Sequence, residues 1–339
     1  MIGDTPGQGL PWAKRVALWD AALAAVRGHL RAEGMREVST PVRVAGVAVE
    51  PFIEPLTAPP GYLATSPEMV MKRLLCRGSG SIFQVSHVFR ASEVGARHSE
   101  EFHLIEWYRL GAPLAVARRD VESLVDAAFV QAGRDPVASW STFGVMDVVE
   151  ATLGYALRGD EEADELARVS ARCGLPLRVA GLDDPSPEVR RLAAWTAFFS
   201  EWSDAHLDPW LDERGGGVHV CDFPPALAAL SELREVDGHV RAARFESFVD
   251  GVELANGYQE LRDPAEQAAR FAAVAGLRRA HGAPVLPVDE GFLADLRGFG
   301  LPACAGVALG LDRLLMLAVG ADRLDQVSTA LSVPGRRES

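Results

Sequence analysis

The chain has 339 residues, 48% of them hydrophobic, which is enough to bury the core of one large domain or two modest ones. A net charge of −13 argues against broad nucleic-acid binding, and four scattered cysteines without a CxxC pair, with eight histidines lacking ligand spacing, exclude a structural zinc and suit a reduced cytoplasmic compartment. The most apolar late stretch, 301–320, is broken by Asp312 and Arg313, and the N-terminus lacks a basic start followed by an apolar run, so neither membrane span nor signal peptide is expected.

In chain order, Trp12, Val16, Trp19, Leu23, Val26 and Leu30 recur at alternating four- and three-residue steps, the spacing of one apolar helical face that ends near Gly34. Arg36 to Thr40 reads as a short strand closed by Pro41, which has no N–H for a ladder. Thr65-Ser66-Pro67-Glu68 opens a helix over Met69 to Cys76, with the proline inside its first turn. Ile82 to Arg90 and Phe102 to Arg109 read as an antiparallel pair around a polar loop. Period two then places Phe102, Leu104, Glu106 and Tyr108 on one face and His103, Ile105, Trp107 and Arg109 on the other. Residues 113–215 read as a mostly helical insertion, acidic over Asp160 to Glu165. Further on come β-like sequence, a helical run from Pro264 to His281, and Gly306 to Gly310 leading into a helix over 311–319. With no repeat and no dividing linker, one domain is expected over 12–330, between tails at 1–11 and 331–339.

Three constellations carry possible chemistry. Arg90, Glu93, Arg97, His98 and Glu101 precede a strand bearing Glu106 and Tyr108; by charge pattern alone this is an ordinary solvated hairpin loop. Asp250-Gly251 signals a two-residue hairpin of type I′. Pairing Val249 with Val252 sets Phe248 opposite Glu253 and makes Glu246 and Glu253 a diagonal same-face pair, suited to a hard cation shared with phosphate or else merely a tolerated solvent-facing pair. Asn256-Gly257 suggests a bulge or a close backbone approach, and parity alone does not place Glu260. Last, Gly306 to Arg313 is a small-residue strand turning into a helix whose start carries Arg313 toward any bound phosphate, or a buried junction with a surface arginine.

Together, Phe89-Arg90, His98, Glu101-Phe102 and Glu106-Trp107-Tyr108-Arg109 resemble motif two of class II aminoacyl-tRNA synthetases, Gly306 to Arg313 resembles motif three, and Pro41 closes a plausible motif one. Thr65-Ser66-Pro67-Glu68 and Glu253-Leu254-Ala255-Asn256-Gly257 are similar to the lysyl subgroup, and with Glu106-Trp107-Tyr108 to its stand-alone elongation factor P lysyl ligases. The resemblance spans about residues 12–330. It implies an α+β fold, a mostly antiparallel sheet flanked by helices, dimeric through the motif-one region. It also implies ATP-dependent activation of lysine or (R)-β-lysine as an acyl-adenylate and its transfer to a lysine of elongation factor P.

By the same resemblance, Arg90 and Arg313 are catalytic, Arg90 bridging the amino-acid carboxylate and the α-phosphate and Arg313 holding the distal phosphates. ATP would be bound by these with Ala91, Ser92, Glu93, His98, Ser99, Phe102, Glu253, Leu254 and Gly310. Phe102 would stack on adenine, and Glu246 and Glu253 would position Mg2+. Ser66, Pro67, Glu68, Tyr108, Asn256, Glu260 and Ala308 would line the amino-acid pocket, where carboxylates suit an ammonium and the Ala308 methyl either crowds an α-ammonium or simply packs. Ser92 stands where the family pattern has a glutamate, leaving adenine to be read by Glu93 after a loop shift or by a backbone carbonyl. Ser99-Glu100 replace the usual Asn-Pro. With the motif-one helix starting by Trp12, no anticodon-binding domain and no tRNA are expected. The alternatives are a ligase serving another amine or carrier, and a non-catalytic amino-acid sensor; the retained Arg90, Glu246, Glu253 and Arg313 argue against the sensor.

Overall fold

A computed structural model describes residues 9–48 and 50–329, so 1–8 of the expected N-terminal tail and all of 331–339 lie outside the described residues. Helix α1 (Trp12–Ala32) buries Leu18, Ala22, Val26 and Leu30. The expected apolar face is only partly right, because Trp12 is 49% and Val16 57% exposed. The first turn is held instead by Arg15, which donates to the Asp325 and Ser328 carbonyls at 2.7 and 3.1 Å, so a pattern continuous in sequence is buried only over its later part. Strand β1 (Arg36–Glu37) stops short of Thr40 and pairs parallel with Ile82 and Phe83. A small sheet of β2 (Arg43–Val44), β3 (Thr57–Ala58) and β4 (Gly61–Leu63) follows.

Helix α2 (Glu68–Cys76) starts one residue after Pro67, not around it. The Ser66 hydroxyl accepts the Glu68 N–H at 3.0 Å and so takes the capping role. Strands β5 (Ile82–Phe89) and β6 (Glu101–Leu110) form the expected antiparallel pair. Period two sorts them as expected: Phe102, Leu104, Glu106 and Tyr108 face a cavity, while Ile105 and Trp107 enter the main core. On that second face Arg109 donates to Asp120 of α3 (Leu114–Gln131) at 2.9 and 2.6 Å.

The segment 113–215 is mostly helical, but it is woven into the frame. Helix α3 belongs to the main core, and β7 (Trp140–Gly144) adds a parallel edge strand against β8 (Gly217–Phe223). Between them α4 (Val145–Leu153), α5 (Ala163–Arg172), α6 (Pro187–Trp202) and α7 (Asp208–Arg214) surround a second core centred on Trp195 and Trp202. Strand β9 (Leu233–Val236) pairs with β10 (His239–Val249), which turns into β11 (Val252–Gln259). At that turn Asp250 and Gly251 have φ of 47° and 73°, as a type I′ hairpin requires, and Phe248 lies opposite Glu253 as expected.

A bulge at Leu254 then shifts the register so that Ser247 meets Ala255 and Glu246 meets Asn256. The irregularity expected at Asn256-Gly257 therefore sits two residues earlier. What Gly257 provides is close approach, since a Cβ there would lie 2.4 Å from the Phe245 ring. The chain closes with α8 (Pro264–Ala280), capped by Asp263, then α9 (Glu290–Phe299), β12 (Cys304–Gly310) and α10 (Leu311–Ala318).

The main sheet has nine strands, ordered β1-β5-β6-β12-β11-β10-β8-β7 with β9 on β10, antiparallel except at β1/β5 and β7/β8. Helices α1, α3 and α10 cover one face with the main core. Buried Ser247, His219 and the Glu122 carboxylate form a chain of 2.8 and 3.1 Å contacts that ties β10 and β8 to α3. The three side chains have the order of a nucleophilic triad, but the Ser247 residue is fully buried and burial lowers His219 to about 3, so the imidazole is neutral and the group is structural. No helix among the described residues is long and apolar enough to cross a membrane.

Candidate active site

On the other face a cavity of about 400 Å³ opens over the middle strands β6, β12, β11 and β10. It gathers most of the expected residues: Arg90, Glu93, His98, Ser99, Phe102, Glu246, Glu253, Leu254, Gly310 and Arg313 toward the expected nucleotide end, and Ser66, Glu68, Tyr108, Asn256, Glu260 and Ala308 toward the expected amino-acid end. Pro67, Ala91 and Ser92 do not line it. Ala91 instead gives its N–H to the Glu54 carbonyl at 2.7 Å. Ser92, at φ 66°, turns the loop so that Glu93 enters the cavity, with its carboxylate 3.6 Å from Arg90.

Arg313 is fixed by short contacts. It donates to the carbonyls of Arg97 and Glu253 at 3.1 and 2.9 Å, and a third nitrogen lies 2.7 Å from His98 Nε2. Burial, with Arg313 beside it, lowers the His98 pKa, so a neutral ring accepting at Nε2 fits the contact. Asp312, next to it, accepts the His103 N–H at 2.6 Å and thereby pins the start of α10 to β6. The Arg90 guanidinium lies 5.1 Å from the centre of the Phe102 ring, the surface expected to take adenine.

Glu246 and Glu253 share the cavity, although the bulge has altered their pairing. Burial is the main influence on Glu246, raising it to about 7, with the Glu253 charge also pushing it up, while Arg244 opposes the shift and donates to Glu246 at 2.5 Å. Two carboxylates are what a magnesium ion takes from protein when phosphate oxygens and water supply the rest. Among the described residues no third His, Cys, Asp or Glu joins them, so the pair fits an ion completed by substrate, not a protein-only cage.

At the opposite end Glu106 is the hub. Tyr108 donates to one of its oxygens at 2.6 Å and Ser66 to the other at 2.8 Å. Burial, then the Glu68 charge, raises it to about 7. Beside it Lys72 lies 2.6 Å from Glu68 and 2.5 Å from Glu260, almost wholly buried. Burial opposes its charge, but the two carboxylates outweigh that and keep it an ammonium; burial and Glu68 push Glu260 up against the pull of Lys72. Buried Glu106 and Glu260 and half-buried Glu68 thus gather around the Lys72 ammonium, a surplus of carboxylates that an ammonium-bearing substrate would balance.

Sequence reasoning missed Lys72, Arg244, Tyr258 and Glu50. Glu68 and Lys72 are an i,i+4 pair with the acid first, and Arg244 lies two residues before Glu246 on one strand face, so both had a readable signal. Tyr258 and Glu260 share the face of Asn256, which period two gives once the bulge is known to precede them. Glu50 stands in irregular chain and had none. Ala308 lies between Glu106 and Asn256 in the sheet, at the centre of the amino-acid end.

The antiparallel sheet thus carries two arginines and two carboxylates at one end of a cavity and an acidic pocket at the other. The model of class II tRNA synthetases (D, K and N) matches residues 13–329, and the chain belongs to that family. It is similar to the elongation factor P–(R)-β-lysine ligases of Vibrio cholerae, 38% identical over 80% of this chain and 78% of the relative, and of Pectobacterium carotovorum, 34% identical over 90% and 91%. A third such ligase, from Vibrio campbellii, is 35% identical over 93% of this chain and 94% of its own. The expected α+β class II fold and an ATP-dependent amino-acid ligase are thereby borne out.

Proposed function

We propose that this protein joins lysine or (R)-β-lysine to a lysine side chain of elongation factor P through an acyl-adenylate. The observation that supports the choice of amino acid is the trio Glu68, Glu106 and Glu260 around the Lys72 ammonium. The choice of acceptor is supported by the similarity to elongation factor P–(R)-β-lysine ligases over most of both chains. In the first step a carboxylate oxygen of the amino acid attacks the α-phosphorus of ATP and pyrophosphate leaves. Arg90 would hold the two reacting groups together and Arg313 the leaving phosphates, by orientation and charge. Glu246 and Glu253 would hold Mg2+, which when bound neutralises phosphate charge.

Phe102 would offer the adenine a flat face, and Glu93, which lines the same cavity, would read its exocyclic amine. The apolar surface of Trp12 and Val16 left open on α1 supports a homodimer through that helix; a one-chain mass in sedimentation would exclude it. A cytoplasmic location and independence from tRNA belong to the same reading. The test incubates protein, ATP and magnesium with elongation factor P or tRNA and either lysine isomer. A mass gain on the factor, requiring magnesium and exceeding tRNA charging, is expected. Pyrophosphate exchange without labelling of the factor would replace the acceptor, and no exchange with either isomer would sink the reading.

A further inference from the structure

The catalytic cavity has a neighbour. A second cavity, of about 680 Å³, lies between segment 50–53, α6, α8 and the turn around Leu227, with Phe52, Leu192, Phe199, Leu227, Phe271 and Val274 in its walls. Glu50, Ile53, Ala229 and Arg244 line both cavities, so the two meet there. Among the described residues no hydrogen bond or ion pair engages the Glu50 carboxylate. Its electrostatic neighbours are Glu68 and Lys72 of α2, Arg90 after β5 and Arg244 of β10.

The second half-reaction has a chemical need that no residue assigned so far meets. A protein lysine arrives as an ammonium, with an ordinary pKa of about 10.4, and its nitrogen cannot attack until a proton is removed. We propose that Glu50 receives the acceptor's ammonium where the cavities meet and takes its proton, while the chain segment bearing that lysine lies in the second cavity. This rests on the proposed transfer to a protein lysine. The freed amine forms the C–N bond to the acyl carbon, the bond from that carbon to the AMP phosphate oxygen breaks, and AMP leaves with the electron pair. The second nitrogen proton passes to solvent.

Three features fit one occupant. The apolar walls take the methylene stem and flanking side chains of an incoming segment, the carboxylate matches its charged tip, and the junction leads to the cavity where the adenylate forms. Burial, with the Glu68 charge, raises Glu50 above the ordinary carboxylate range while Arg244, Arg90 and Lys72 oppose the shift, which brings the group nearer the working pH of a base.

Pyrophosphate exchange and transfer to elongation factor P are measured side by side on the full chain. In Glu50→Gln transfer should fall about 100-fold or more relative to exchange, the low end of a lost proton acceptor, and Glu50→Asp should recover part of it. Equal losses in both assays would instead put Glu50 on the amino acid or ATP and overturn the role. Ser200→Trp changes an exposed residue that lines the second cavity alone. It should raise the acceptor KM about tenfold while exchange is unchanged. A normal acceptor KM there would remove the second cavity from the acceptor's path. Wild-type protein that exchanges pyrophosphate but leaves the factor unlabelled would overturn the acceptor reading itself, and this inference with it.

Discussion

Lys72 is one of two lysines in the chain, and its nitrogen lies between Glu68 and Glu260 in almost complete burial. The carboxylates that a sequence reading assigns to substrate are therefore already engaged by the protein, and what remains for substrate is their surplus charge. Gly306 sets the size of the same pocket. A Cβ built there would lie 2.2 Å from Glu260 Oε1 and 2.5 Å from the Tyr108 ring, and both side chains are held, Glu260 by Lys72 through its other oxygen and Tyr108 by Glu106. Gly306→Ala should therefore raise the amino-acid KM much more than the ATP KM, by about 10–200-fold if the misfit resembles one methylene in a tight pocket. Initial rates of exchange at varied lysine and varied ATP decide it, and parallel changes in both KM values would mean that the strand has moved as a whole.

At the scale of elements, the segment 50–54 has no regular structure, yet it closes the cavity. It is held from behind by Arg278 of α8, fully buried, which donates to the carbonyls of Glu50, Pro51 and Ile53 at 3.2, 3.1 and 3.4 Å and to the Glu54 carboxylate at 2.6 Å. The Glu54 carbonyl in turn accepts the N–H of Ala91, the neighbour of Arg90. Arg278 is thus a positioning residue, linked to the nucleotide end through one segment. Arg278→Met would leave those carbonyls without their donor, at about 1–3 kcal/mol for each that stays buried. We expect a lower melting temperature, faster proteolysis within 50–54 and a higher KM for ATP. Unchanged proteolysis and kinetics would reduce Arg278 to packing. Nothing in the sequence around 278 signals this role, because the partners in 50–54 lie more than 220 positions away.

Across the whole molecule, the site stores a pH dependence of stability. Glu106 and Glu246 are each raised from 4.5 to about 7 by burial, and Glu260 is raised as well. The folded chain therefore keeps protons that the unfolded chain has released, and its stability falls as pH rises from about 4.5 through about 7. Substrate-free protein should melt at a higher temperature near pH 5.5 than near pH 8. The drop should shrink with lysine and ATP present, because the substrate ammonium supplies the missing positive charge. Thermal melts at both pH values, with and without ligands, measure it; a substrate-free melting temperature that rises toward pH 8 would contradict the burial argument.

Resemblance of its motifs to a known family supplied many of the residues around the cavity, while the sequence by itself determined the hairpin at Asp250-Gly251, the two faces of β6 and the strand-to-helix turn at Gly310. Those features depend on local conformation and short periods, which are written in neighbouring residues. Tertiary structure alone decided that α1 is buried only from Leu18 onward, that the bulge falls at Leu254 and that 113–215 contributes to the main core and the sheet edge. It also decided that Glu50 meets the site at all. Burial and charge balance are sums over elements distant in sequence, so no window of the chain contains them.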